Sequence, residues 1–333
     1  MNRSHFLKPI MIKASMLYDI VIFGFLTLDI AAIIAFVIQF ARYGMKLFTP
    51  IPTLVFLFLL ISGAVIFYGS FIAPHRLTVT EQEIFLKNSD KNELEKPMRL
   101  ALISDIHVGP YKNAKFVEKV VNKINTLKPD IIVIAGDSVF GDDFDITQLS
   151  PLKNLSAPMG VFGVLGNHDY EDGFNGSVRD GILDDSSGRA GKVAAGLGSL
   201  GVRVLINESA VIGGNIVIGG VDEVWTNRAD VTKTFANSPT ETGIMRILIA
   251  HNPDIILASD FMSAKIDLVL AGHTHGGQIR LPLWGSIPRL PTRLGRKYDQ
   301  GLFDKLFITR GVGETGPRAR LFATPEIALL ILR

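Results

Sequence analysis

Two runs near the N-terminus, Ile20 to Phe40 and Ile51 to Ile72, are almost continuously apolar. Each has the roughly 20 residues a helix needs to cross hydrocarbon. The pattern predicts a membrane hairpin over residues 1–75, with spans at about 20–40 and 51–72. The short connection carries Arg42, Gly44, Lys46 and Pro50. The first run is too long for the apolar core of a cleavable signal, and a second span follows it, so the hairpin is expected to be retained. Arg3, Lys8 and Lys13 precede the first span with no acidic residue before Asp19, which favours a cytoplasmic N-terminus. Two spans then return the rest of the chain to the cytoplasmic side of an inner membrane, although Arg42 and Lys46 pull the other way. Asp29 lies inside the first run. It reads as a protonated or helix-paired carboxyl, with a functional intramembrane role as the alternative.

Beyond Ala73 the composition becomes ordinary, and from Leu100 short strand-like runs alternate with helical patterns. That alternation predicts a layered α/β domain over residues 76–333. The clearest helix lies between Asn113 and Lys128: Val117, Val120, Val121 and Ile124 fall at helical spacing, Asn113 can cap it, and Pro129 follows. A second helix is expected to open at Pro253 and to carry Ile256, Leu257 and Phe261 toward the core. The Gly/Asp/Ser-rich stretch from Glu171 to Gly201 predicts a long loop followed by a short helix. Neither a Gly-x-Gly-x-x-Gly pattern nor a phosphate-loop Lys is present.

Composition narrows the chemistry. Hydrophobic residues make up 47% and charged residues 20% of 333, with a mean hydropathy of +0.31, too apolar for a wholly solvated chain. With 34 Lys+Arg against 32 Asp+Glu, no strong field recommends a nucleic-acid polymer as partner. Cys 0 excludes disulfides, thiolate metal sites and cysteine nucleophiles, leaving His, Asp, Glu and Asn to hold any metal.

The candidate chemistry sits in five places, each after an apolar run. Leu100 to Ser104 leads into Asp105-Ile106-His107, and Ile131 to Ala135 into Gly136-Asp137. Val161 to Leu165 leads into Gly166-Asn167-His168-Asp169, Ile247 to Ala250 into His251, and Leu268 to Ala271 into Gly272-His273-Thr274-His275. Side chains at strand ends can converge on one crevice. The i, i+2 pairs Asp105/His107 and His273/His275 would each project from one face of an extended chain. Five of the seven His lie in these motifs. Asp and His without thiolates suit Mn, Fe, Zn or Mg, and a carboxylate such as Asp137 has two oxygens with which to bridge two ions. Two such ions suit in-line displacement at phosphorus.

Taken together and in order, these five blocks resemble the calcineurin-like metallophosphoesterase superfamily, over about Arg99 to Arg333. Gly272 to Gln278 with the closing Pro325-Glu326-Ile327 is similar to its bacterial membrane-associated branch. The resemblance implies a four-layer αββα sandwich and two divalent ions, Mn favoured. It implies that Asp105, His107, Asp137 and His275 hold one ion, while Asp137, Asn167, His251 and His273 hold the other. His168 matches the family's general acid, with Asp169 as its orienting partner. Phe140 stands where many relatives carry a second Asp, and no Arg-Gly pair follows the Asn-His block, which argues against the Ser/Thr protein phosphatase branch.

The stretch from Arg280 to Arg320 is rich in cations, of which Arg280, Arg289 and Arg310 are candidate phosphate binders. Leu281-Pro282-Leu283-Trp284 mixes apolar residues among them, the composition of a loop at a membrane interface. A phosphoester substrate reached from the bilayer is therefore expected, with Trp284 along its path. Membrane-associated relatives include hydrolases of the pyrophosphate in UDP-2,3-diacylglucosamine, a lipid A precursor. The runner-up is a tethered phosphodiesterase for nucleotides or glycerophosphodiesters, and the non-enzymatic alternative is a metal or phospholigand sensor.

Overall fold

The computed structural model describes residues 14–44, 49–86, 96–141, 144–170, 188–241 and 243–333. Arg3, Lys8, Lys13, Lys46 and residues 171–187 of the stretch expected to form a loop lie outside them. The chain forms two compact units: Met1–Ile72 with Gly316–Arg318, and Ala73–Thr315 with Ala319–Arg333.

In the first unit the apolar runs form α1 (Ala14–Tyr43) and α2 (Pro50–Phe67). The helical stretches Ser15–Tyr43 and Pro50–His75, the second running on past α2, are long and apolar enough to cross a membrane. Asp29 faces Gly63 of α2, where a Cβ would stand 3.2 Å from its Oδ2. Arg318 makes a two-pronged pair with Asp19 at 2.8 and 2.9 Å and packs over Phe71.

The second unit opens on β1 (Thr78–Ile84) and β2 (Met98–Ile103), then α3 (Ala114–Thr126) and β3 (Ile131–Ala135). Next come β4 (Val161–Val164), the single turn α4 (Asn167–Tyr170), α5 (Arg189–Ser199) and β5 (Arg203–Val204). The second half holds β6 (Glu208–Ile212), β7 (Ile216–Gly220), α6 (Val231–Phe235), β8 (Met245–Ile249) and β9 (Leu268–Ala271). It closes with β10 (Arg280–Leu281), β11 (Gly285–Ser286), β12 (Gly301–Phe303), β13 (Leu306–Ile308) and β14 (Glu326–Leu332). One six-stranded sheet runs β1-β14-β2-β3-β4-β5 and another runs β12-β13-β9-β8-β7-β6, while β10 and β11 form a separate hairpin. The C-terminal β14 inserts between β1, which it parallels, and β2, which it opposes.

The continuous apolar runs are explained by burial on both faces of each sheet. Leu100, Leu102, Ile131 and Val133 point into a cluster shared with Ile247, Ile249, Leu268 and Leu270 of the other sheet. The alternate residues Ala101, Ile103, Ile132 and Ile134 face Val117, Val120, Val121 and Ile124 of α3. On the second sheet, Leu248 and Val269 face a third cluster with Val231, Phe235 and Ile255. The predicted α3 forms as expected, and its Asn113 cap accepts from Phe116 N at 3.3 Å. The segment at Pro253 differs from expectation. Its helical part is one 3₁₀ turn, Pro253–Leu257, ended by extended Ala258 at ψ 139. Ile255 rather than Leu257 is the core residue, and Leu257 is half exposed. The side chain of Asn252 caps Asp254 N, while the Asp254 carboxylate is drawn to Thr292 and Arg293, so local bonds favour a short turn over a continuing helix.

Candidate metal centre

The five motifs follow β2, β3, β4, β8 and β9, and their donors meet in buried space. Asp105, His107, Asp137, Asn167, His251, His273 and His275 are all at most 5% exposed. The convergence of the i, i+2 pairs does not come from extended chain. Asp105 (φ 54), His107 (φ 52), Asp137 (φ 54), His273 (φ 71) and His275 (φ 53) all occupy the left-handed region. The chain turns sharply at each of these residues, an uncommon conformation outside glycine that persists where surrounding packing imposes it. The turns leave no room for larger neighbours: a Cβ at Gly166 would lie 2.2 Å from Asp137 Oδ1.

Three donors form a first group: Asp105 Oδ1 lies 3.3 Å from His275 Nε2 and 3.8 Å from His107 Nε2, and the two imidazole nitrogens are 3.2 Å apart. Asp105 Oδ2 is held by Ser104 Oγ and, at 3.2 Å, by His273 N. Its Oδ1 is buried with no hydrogen-bond partner, a costly state for a carboxylate oxygen unless a cation meets it. Arg320, fully buried, reaches His275 Nδ1 at 3.3 Å and the carbonyls of Arg310 and Ala323 at 3.0 and 2.9 Å. Burial brings its pKa down to about 10.

The second group makes the stronger case for a metal. His251 Nδ1 donates to Ala135 O at 2.8 Å, and His273 Nε2 donates to Pro291 O at 2.8 Å. In the neutral rings His251 Nε2 and His273 Nδ1 therefore carry lone pairs, yet they face each other at 3.1 Å. Asn167 Oδ1 and Asp137 Oδ2 also stand 3.1 Å from His251 Nε2. Four acceptors crowding one point require a shared positive charge. Ligand bonds of about 2.1 Å put neighbouring donors roughly 3.0 to 3.4 Å apart, close to these separations. Carbonyl partners on the outer nitrogens are the usual means of fixing a metal-binding tautomer.

Asp137 belongs to both groups. Its Oδ1 accepts from His168 N at 2.9 Å, while Oδ2 lies 3.1 Å from His251 Nε2 and 3.5 Å from His107 Nε2. Burial alone would raise its pKa, but His251, His168 and His107 hold it well below the usual carboxylate range. Burial likewise opposes charge on His251, yet Asp137, with Asp105 and Glu223, outweighs it and pushes the pKa to about 10. That shift reports how strongly the pocket draws positive charge to Nε2. Burial and then His251 push His273 down to about 3, keeping it a neutral donor. Burial raises Asp105 to about 6, with Asp137 adding to the rise.

His168 is the second residue of α4 and is partly exposed, with its ring centroid 5.0 Å from those of His107 and Phe140. Phe140 thus fills an apolar wall where an Asp would have added charge. Asp169, expected as the partner of His168, spends its carboxylate on three main-chain donors: Ser138 N (2.9 Å), Val139 N (3.2 Å) and Gly166 N (2.9 Å). It ties the loop after β3 to the loop after β4, and burial, then Asp137, raises its pKa to about 7.

The expected substrate residues separate into two kinds. Arg280 pairs with Asp299, and Arg310 pairs with Glu326 at 2.9 Å, so both guanidinium groups brace the fold. Arg289 lines a cleft beside His273. Trp284, at the β10–β11 turn, is 77% exposed. Sequence reasoning missed Ser104, Trp225 and the carbonyls of Ala135 and Pro291, and it took Arg320 only as one cation among several. A backbone carbonyl has no signature in residue type, and Trp225 follows no ligand motif.

The model of the calcineurin-like phosphoesterase family matches residues 98–277, and the chain belongs to that family. It is 30% identical to a metallophosphoesterase of Campylobacter jejuni over 72% of this chain, and spans 60% of that protein's length. The metallophosphoesterase YkuE of Bacillus subtilis is 30% identical over 80% of this chain and 89% of its own. The UDP-2,3-diacylglucosamine pyrophosphatase LpxG of Chlamydia muridarum is 27% identical over 70% of this chain and 83% of its own. The family is one of phosphoesterases, and this chain's clustered His and Asp groups are suited to divalent ions.

Proposed function

We propose that the protein is a membrane-anchored, two-metal hydrolase of a phosphodiester or pyrophosphate bond in a lipid-linked substrate, with UDP-2,3-diacylglucosamine the specific candidate. The observation that carries the two-metal reading is the pair of donor groups sharing Asp137 Oδ2. Asp105, His107, His275 and Asp137 would hold one ion, and Asn167, His251, His273 and Asp137 the other. When bound, the ions, Mn by preference, supply Lewis acidity and an activated water for attack at phosphorus. His168 holds a proton beside this space and delivers it to the departing oxygen. Asp169 keeps the loops bearing Asp137 and Asn167 in register. The three apolar clusters, one shared by both sheets and one outside each, support a four-layer αββα arrangement.

The lipid part of the reading rests on α1 and α2 as spans and on the β10–β11 hairpin. Leu283 is fully exposed, Trp284 77% and Ile287 51%, with Arg289 and Arg293 close behind in sequence. Exposed aromatic and aliphatic side chains beside cations suit the headgroup boundary. The LpxG likeness points the same way. Loading the detergent-solubilised protein with Mn, Mg or Zn and screening lipid and soluble phosphoesters by mass spectrometry tests the substrate. UDP-2,3-diacylglucosamine should give UMP and the acylated sugar 1-phosphate. Turnover of nucleotide diesters without any acylated ester would replace the lipid reading with the runner-up.

Trp284→Asp should raise KM for the acylated substrate several-fold while sparing a soluble ester, because an interfacial contact contributes binding rather than chemistry. Equal damage to both substrates would show that Trp284 acts on the fold. The proposed topology puts both termini in the cytoplasm. The chain has no Cys, so a single one introduced at Ser4 reports alone, and an impermeant thiol reagent should leave it unlabelled in intact cells. Labelling would overturn the orientation.

A further inference from the structure

Next to the candidate metal centre lies a cleft of about 370 Å³, lined by Trp225, Asp254, Arg289, Leu290, Pro291, Thr292 and Arg293, with the Asp254 carboxylate already engaged by Thr292 and the Arg293 main chain. It shares two walls with the ligand His273. The Pro291 carbonyl accepts from His273 Nε2 at 2.8 Å, and the Trp225 ring meets the His273 ring edge-on with centroids 4.7 Å apart. A group bound here therefore abuts the donors of Asn167, His251 and His273. The segment forming the rim is held in place by the lining Asp254, which accepts from Thr292 Oγ1 at 2.5 Å and from Arg293 N at 2.9 Å. Arg289 and Arg293, unlike Arg280 and Arg310, have no ion-pair partner among the described residues.

The lining restricts the occupant. Two guanidinium groups at the rim are poor company for an acyl chain, whose burial would cost them water without a partner. A bare phosphate would use the cations but neither the indole nor the volume. A flat ring carrying a phosphate uses all three, since rings stack on aromatic and guanidinium faces and phosphate pairs with the cations. We infer that this cleft is a nucleotide subsite, with the base against Trp225 and the phosphate met by Arg289 and Arg293. The inference rests on the reading of the adjoining donors as the hydrolytic centre. It divides the substrate there: the nucleoside monophosphate half occupies the cleft, and the other half extends away from it.

The test uses the full chain in detergent, loaded with Mn. The protein has two Trp, so Trp284→Phe leaves Trp225 as the sole indole reporter. UMP, ribose 5-phosphate and inorganic phosphate are titrated by fluorescence and by calorimetry. UMP should quench Trp225 and bind about tenfold more tightly than ribose 5-phosphate, a factor within the range of one base stacking on one aromatic ring. In Trp225→Leu the two ligands should bind alike, and Trp225→Phe should restore part of the difference. The double variant Arg289→Ala, Arg293→Ala should weaken both by about tenfold and leave their ratio unchanged, which keeps the test independent of how well Trp225→Leu folds. Equal affinities in the unaltered cleft, or a ratio surviving in folded Trp225→Leu, would overturn the subsite. If Mn-dependent hydrolysis of bis(p-nitrophenyl) phosphate persists alongside that result, only the subsite fails; if no ester is hydrolysed, the hydrolytic reading fails.

Discussion

Asp137→Ala should lose both ions and at least about a thousandfold in kcat/KM, equivalent to about 4 kcal/mol of transition-state stabilisation. The expectation follows from the position of one carboxylate. Its Oδ2 stands between His107 Nε2 and His251 Nε2 at 3.5 and 3.1 Å, and its Oδ1 is pinned by His168 N. Asp137 belongs to both inferred donor sets, so its removal costs each group an anion at once. The Asp137 carboxylate is also the main group drawing positive charge to His251 against the effect of burial. Elemental analysis reads the outcome directly. About two ions still bound per chain in this variant would sink the assignment.

His168→Gln should give the second largest effect, with a different signature. Loss of a positioned general acid costs about 10²- to 10⁴-fold, and the loss should be greatest for poor leaving groups that need the proton. A p-nitrophenyl ester, whose leaving group departs as a stable anion, should suffer least. Because the His168 side chain is partly exposed and its main-chain N supplies the hydrogen bond to Asp137, the ions should remain. A parallel loss of metal would make His168 a ligand instead.

The convergence of these His, Asp and Asn side chains is legible in the sequence because each follows a strand buried on both faces, and such strands advertise themselves as unbroken apolar runs. Ile131–Ala135 before Asp137 and Leu268–Ala271 before His273 are the plainest cases. The helix over Ala114–Thr126 is equally readable, since one stripe of Val and Ile faces the core. What cannot be read is what depends on distant backbone. Strand alternation is the wrong reason for the Asp105/His107 convergence; left-handed turns at both residues achieve it, and φ is not written in residue type outside Gly. The partner of His251 Nδ1 is a carbonyl 116 residues away. The turn at Pro253 stops short because Asp254 is engaged by Thr292 and Arg293, on a segment far along the chain. The insertion of β14 between β1 and β2 is likewise a long-range pairing that no local pattern specifies.

The central claim is that two ions share Asp137, and anomalous X-ray diffraction from crystals of the Mn-loaded protein tests it most directly. The account predicts two anomalous peaks, roughly 3.5 to 4 Å apart, flanking Asp137 Oδ2. One should fall among Asp105, His107 and His275, and the other among Asn167, His251 and His273. A single peak in crystals of fully active enzyme, or two peaks with Asp137 touching only one, would contradict it.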